Sequence, residues 1–218
     1  MSYLGLIIIT LAIGMFATWS CQHNLKKYSN VPTESGITGA QAAQQMLSYY
    51  GITGVPVHQG AEGQDFFDPR SHSVTLSRSA YYGRSITALA TACHEVGHAC
   101  QYAQDYTPMK IRGALVPAVN LASNAWMILF FAGILMNIAG LVDIAILLYA
   151  LAVLFHLVTL PVEFNASRRA LTYMETIGIN SAEVSGSWKV LRACALTYVA
   201  AALTSILQLI YLLGVRED

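Results

Sequence analysis

The stretch Ser85–Gln104, SITALATACHEVGHACQYAQ, decides how this chain has to be read. It is rich in Ala, has no Pro and a single Gly, so it suits an unbroken helix of about five turns. Ile86, Leu89, Ala90, Cys93, Val96 and Gly97 recur at helical spacing, which packs the helix within protein on that side. The other side carries His94-Glu95-Val96-Gly97-His98. Histidines at i and i+4 project from one face and can grip a single Zn²⁺, while the Glu after the first His lies beside the water such a metal activates. The pattern points to hydrolysis by a zinc site with His94 and His98 as metal ligands and Glu95 as the catalytic base.

Cys93 and Cys100 flank the histidines, yet a helix turns Cys93 about 100° from His94 and Cys100 about 160° from His98. They are expected to be small buried residues. The four cysteines, at 21, 93, 100 and 194, form no CxxC pair and no recognisable disulfide framework, which suits a reduced compartment.

Upstream, Ser71–Ser77 (SHSVTLS) alternates Val74 and Leu76 with polar residues, as in a strand with one wet face. A strand just before this helix either offers an edge, His72 to Ser77, on which an extended peptide adds, or merely completes a small cytoplasmic fold. Gly54–Arg70 is loaded with Gly, Pro and Asp. Ala40–Tyr50 (AQAAQQMLSYY) reads as a short amphipathic helix ended at Gly51.

The wider chain is apolar: 55% of its 218 residues are hydrophobic and 11% charged, against about a quarter charged in soluble domains. Four segments are long enough to cross a bilayer of ~30 Å, namely Tyr3–Trp19, Leu115–Met136, Leu141–Leu160 and Ala193–Leu213. The first lacks a basic n-region and a convincing cleavage site, and so reads as a retained anchor. Lys26, Lys27, Lys110, Arg112, Arg168, Arg169, Lys189 and Arg192 flank the membrane ends of segments 20–114 and 161–192, which places both segments in the cytoplasm.

The expected architecture is a mainly α, multi-pass membrane protein of about four transmembrane helices with a small cytoplasmic zincin-like α+β catalytic part. Its divisions are an N-terminal anchor at 1–20, a catalytic segment at 21–114, a helical hairpin at 115–160, a second cytoplasmic segment at 161–192 and a last transmembrane helix with its tail at 193–218.

A catalytic zinc needs a third protein ligand. Asp143 in GLVDIA and Glu163 in LPVEFNASRRA are the acidic candidates among apolar neighbours. An even number of crossings separates Glu163 from His98, whereas Asp143 lies one crossing away, so Glu163 is favoured. A helix start at Pro161 would set Ser167 one turn beyond Glu163, able to orient the carboxylate or a zinc histidine. Tyr81, Tyr82, His72, Arg168, Arg169 and Tyr173 lie in segments able to approach as oxyanion stabilisers. His23 and His58 read as surface histidines, and His156, inside the third membrane segment, as a neutral one.

The run FDPRSHSVTLSRSAYYGRSITALATACHEVGHACQ, together with PVEFNASRRAL and KVLRACALTYVAAAL, resembles the YugP-like family of membrane neutral zinc metallopeptidases. The likeness extends from about Thr38 to the last membrane segment. It implies a zinc triad of His94, His98 and Glu163 with Glu95 as base. EFNAS also resembles the ExxxD segment of cytoplasm-facing gluzincin membrane proteases, with Ser167 standing where they carry an Asp.

The resulting expectation is a zinc-dependent endopeptidase in the cell membrane, its site on the cytoplasmic face, acting on a peptide or membrane-protein substrate and not on nucleic acid. Two other readings compete with it. One is an intramembrane site-2-type metalloprotease that uses Asp143, although Arg84 and Asp105 make the HExxH helix a poor membrane span. The other is a catalytically inactive, zinc-stabilised membrane adaptor, for which retention of Glu95 would be unnecessary.

Overall fold

A computed structural model describes residues 2–217. The element order is α1 (Tyr3–Ser29), α2 (Gly39–Tyr49), β1 (Val57–Gln59), β2 (Phe66–Asp68), β3 (Ser73–Leu76), α3 (Arg78–Tyr82), α4 (Ile86–Ala103), α5 (Thr107–Leu135), α6 (Ala139–Thr176) and α7 (Ser181–Glu217). The chain divides into two compact units. One comprises the residues up to Ala17, Pro108–Pro161 and those from Thr197 on; the other comprises Thr18–Thr107 and Val162–Leu196.

The first unit holds the apolar stretches of α1, α5, α6 and α7, the four helices long and apolar enough to cross a membrane. Large apolar side chains such as Leu11, Leu121, Phe131, Leu147 and Ile210 stay exposed on its surface. In water such coverage would be costly; in a bilayer it is the required solvent-facing surface. The chain is therefore a mainly α, multi-pass membrane protein. A small core of Phe130, Ala145, Ile146 and Leu212, flanked by Trp126 and Tyr149, holds α5, α6 and α7 together.

Pro161 does not begin a helix, as the sequence suggested, but lies inside the 38-residue α6. Proline's fixed φ is compatible with a helix, and long membrane helices tolerate the single amide it removes. Helix α6 thus runs unbroken from Asp143 to Glu163 and beyond.

The second unit is built like a small water-soluble domain, with polar caps and a buried centre. Thr38 caps α2 in a reciprocal capping box with Gln41, and the Ser77 and Ser85 hydroxyls accept from the first-turn amides of α3 and α4. Strands β1, β3 and β2 lie side by side in that order. β1 pairs parallel to β3 with Val57 opposite Val74, and β2 pairs antiparallel with Phe67 opposite Val74. The strand expected over 71–77 is therefore central, with no free edge, and the two edges belong to β1 and β2. Neither stands out in the sequence, because each is three residues long in a Gly- and Asp-rich stretch, too short for alternation to register.

Cys21 and Cys194 form a disulfide across 173 residues of chain, correcting the expectation of no disulfide framework. The pairing follows from packing. Thr87 Oγ1 donates to Leu25 O, and Gly186 of α7 fits against Ile86 and Tyr28, which draws the end of α1 and the start of α7 onto α4. Cys93 and Cys100 are buried and free, as expected, and burial pushes the Cys100 thiol up to about 11.

Candidate metal centre

Helix α4 is the centre of the second unit, with Ala90, Ala92, Cys93, Val96 and Cys100 fully buried. Its small side chains let neighbouring backbones come close. The closest approach is at Gly97, where a Cβ would stand 2.6 Å from Ala166 O, so only glycine admits α6 at this distance. That contact brings Glu163, three residues before Ala166, to the histidine face of α4.

His94 Nε2 lies 3.3 Å from Glu163 Oε2, and His98 Nε2 lies 3.8 Å from the same oxygen. All three candidate ligand atoms fall within 4.8 Å of one another. Tetrahedral zinc with bonds of about 2.0–2.1 Å holds its ligand atoms roughly 3.3 Å apart, so this donor set fits the ion with only small adjustment. Two imidazoles and a carboxylate also match the composition of open catalytic zinc sites rather than that of closed, Cys-rich structural ones.

Each histidine turns its other nitrogen to a partner. Ser167 Oγ stands 3.1 Å from His94 Nδ1. Gln101 Oε1 stands 3.0 Å from His98 Nδ1, and Gln101 Nε2 donates to Val162 O at 2.8 Å and to Asn165 Oδ1 at 3.0 Å. Gln101 has no exposed surface. It was missed in the sequence, where the available signal was an amide three residues after His98 on an otherwise Ala- and Cys-rich face.

Glu95 is buried, and burial raises its carboxyl above the usual range while the imidazoles of His94 and His98 oppose the rise. Asp65, the residue before β2, adds to the rise by charge. His98 is pulled down by burial, but its bond to Glu163 and the nearby carboxylates outweigh this and raise it.

The other sequence candidates have different surroundings. Tyr173 is buried against the rings of Tyr49 and Tyr50. Arg169 donates to Asn165 Oδ1 and Gln104 Oε1, Tyr82 donates to Gln59, and His72 Nε2 bonds Tyr102 Oη at 2.8 Å. Asp143 belongs to the first unit and pairs with Arg216, Nε to Oδ1 at 2.6 Å. Among the described residues, the group able to hold a metal is His94, His98 and Glu163, without Asp143.

Comparison with known proteins agrees with this chemistry. Residues 3–217 match the family described as "Putative neutral zinc metallopeptidase". A relative from Bacillus subtilis (strain 168), described as "Putative membrane protease YugP", is 43% identical over 213 residues, covering 96% of this chain and 94% of the relative. No solved structure matches significantly.

Proposed function

Because the chain belongs to the neutral zinc metallopeptidase family, we propose that it is a membrane endopeptidase whose site is formed by His94, His98, Glu163 and Glu95. The observation that carries the proposal is the convergence of two imidazoles and a buried carboxylate, on two helices, at spacings suited to zinc. Zinc, when bound, supplies a Lewis acid that acidifies water and polarises a carbonyl. His94, His98 and Glu163 would hold it. Glu95, its carboxyl raised by burial, is suited to take a proton from the attacking water and return it to the leaving amine nitrogen.

The catalytic part, in this reading, is made of segments 21–114 and 161–192. An extended peptide or a segment of a membrane protein would add to the edge of β2, an outer strand that packs against α4, the helix carrying Glu95. Replacing Glu95 by Gln should leave about one zinc per chain and cut hydrolysis of unstructured peptides by about 10²–10⁴-fold. Equal hydrolysis by wild type and Glu95→Gln would end the proposal, and hydrolysis by neither, with zinc retained, would favour an adaptor.

We place the site on the cytoplasmic face because basic residues crowd the membrane ends of both catalytic segments. One observation favours the opposite orientation: the Cys21–Cys194 disulfide lies in the same unit as the site, and disulfides persist mainly in oxidising compartments. A cysteine introduced at exposed Ala61 decides the matter. Labelling by a membrane-impermeant maleimide only after permeabilisation is expected; labelling in intact cells would reverse the topology.

A further inference from the structure

The Gln101 amide can be oriented in only one way. A backbone carbonyl only accepts, so the Gln101 atom 2.8 Å from Val162 O has to be its NH₂ group. The other atom, facing His98 Nδ1, is then the amide oxygen, which also only accepts. The proton of that bond must therefore reside on His98 Nδ1, leaving Nε2 as the nitrogen aimed at Glu163. The amide is held in turn from behind. Asn165 Oδ1 accepts from both Gln101 Nε2 and Arg169 Nε, the latter at 2.7 Å, and Arg169 Nη1 also reaches Gln104 Oε1 at 2.6 Å.

We propose that Gln101 is a positioning residue: it fixes His98 with its proton on Nδ1 and its Nε2 free for the metal, and it ties α4 to α6 at Val162, beside Glu163. One amide thereby sets the direction of one candidate ligand and the placement of another. His94 has no equivalent, because the Ser167 hydroxyl can donate or accept and does not dictate which nitrogen carries the proton. The inference rests on the metal reading given above, and its test does not depend on proteolysis.

The test compares the detergent-purified full chain as wild type and as Gln101→Met, which keeps the length of the side chain and removes both hydrogen-bonding atoms. Zinc affinity is measured by chelator competition, and the histidine ring protons by NMR of ¹⁵N-histidine-labelled protein. In the wild type, the His98 Nδ1 proton should be observed and exchange slowly. In Gln101→Met its resonance should shift and exchange faster, with zinc binding weakened about 10–100-fold, as expected when the hydrogen-bond partner of a ligating histidine is removed. A merely space-filling Gln101 would leave that proton unchanged.

Zinc affinity within twofold of wild type, or a wild-type His98 with no proton on Nδ1, overturns the proposal. A wild-type chain that takes up no zinc would overturn the metal reading instead, while the Nδ1 proton of the metal-free chain still decides the role of Gln101. Should Gln101→Met fail to fold, Asn165→Ala removes one acceptor behind the amide from a partly buried position and should loosen the same proton, with a several-fold loss of affinity. An unaltered Nδ1 proton in that variant counts against the proposal.

Discussion

Two of the three carboxylates of helix α6, Asp143 and Glu163, stand twenty residues apart, and the contrast between them shows what makes an acidic residue a candidate ligand. Asp143 and Glu163 both stand among apolar residues in sequence. Asp143 keeps 45% of its side chain exposed and pairs with Arg216, whereas Glu163 keeps 3% and faces two histidines. An exposed ion pair contributes little, on the order of 0–1 kcal/mol. A buried carboxylate is costly unless its surroundings compensate for the water it has lost. Composition cannot separate these situations; partners do.

The most forceful attempt to break this contrast is to remove each carboxylate in turn and count metal. Glu163→Ala should take zinc from about one per chain to nearly none, since two histidines alone hold the ion poorly. Asp143→Ala should leave it unchanged. Elemental mass spectrometry of the purified chains gives both answers. Zinc lost with Asp143→Ala instead would return the intramembrane reading to the front.

Near each of these carboxylates α6 also meets a glycine, which makes a second and smaller test. A Cβ at Gly97 would stand 2.6 Å from Ala166 O, 3.0 Å from its Cα and 3.1 Å from its carbonyl carbon, all backbone atoms. A Cβ at Gly133 would meet Val142 Cγ2 at 2.7 Å, an atom that can rotate, although Val142 N at 2.9 Å cannot. Gly97→Ala should therefore cost about 1–3 kcal/mol, the usual penalty of overpacking, and weaken zinc binding by moving Glu163. Gly133→Ala should destabilise the chain without changing zinc affinity. Thermal melting and chelator competition on both variants separate the two effects.

The same contrast explains what could be read from the sequence. The reading of 85–104 as a helix is close to the observed α4, Ile86–Ala103, because eighteen residues give periodicity room to appear. The four apolar segments stood out because span length is set by bilayer thickness, not by tertiary contacts. Counting crossings favoured Glu163 over Asp143, and the structure sets Glu163, not Asp143, beside the two histidines. Features created by packing left little trace. Strands β1 and β2 are three residues each, the central position of β3 depends on both of them, and the Cys21–Cys194 bond spans 173 residues. Gln101 is polar only at its tip and looks like any surface amide until the helix that covers it is known.

The smallest effect is expected at Ser167, where the resembling gluzincins carry an Asp. Ser167→Ala removes the hydroxyl at 3.1 Å from His94 Nδ1. Ser167 is only half-buried, so water can take the place of the hydroxyl, and zinc affinity should fall less than ~10-fold, the lower end for such partners. Gln101 is fully buried and no water can replace it, so its removal should cost more. The ratio of the two losses, measured by the same chelator competition, therefore reports how much of the site's order comes from burial rather than from hydrogen-bond type. Equal losses would mean that His94 depends on its hydroxyl as strictly as His98 depends on its amide. In that case the serine is a full substitute for the aspartate, held in place by α6 itself.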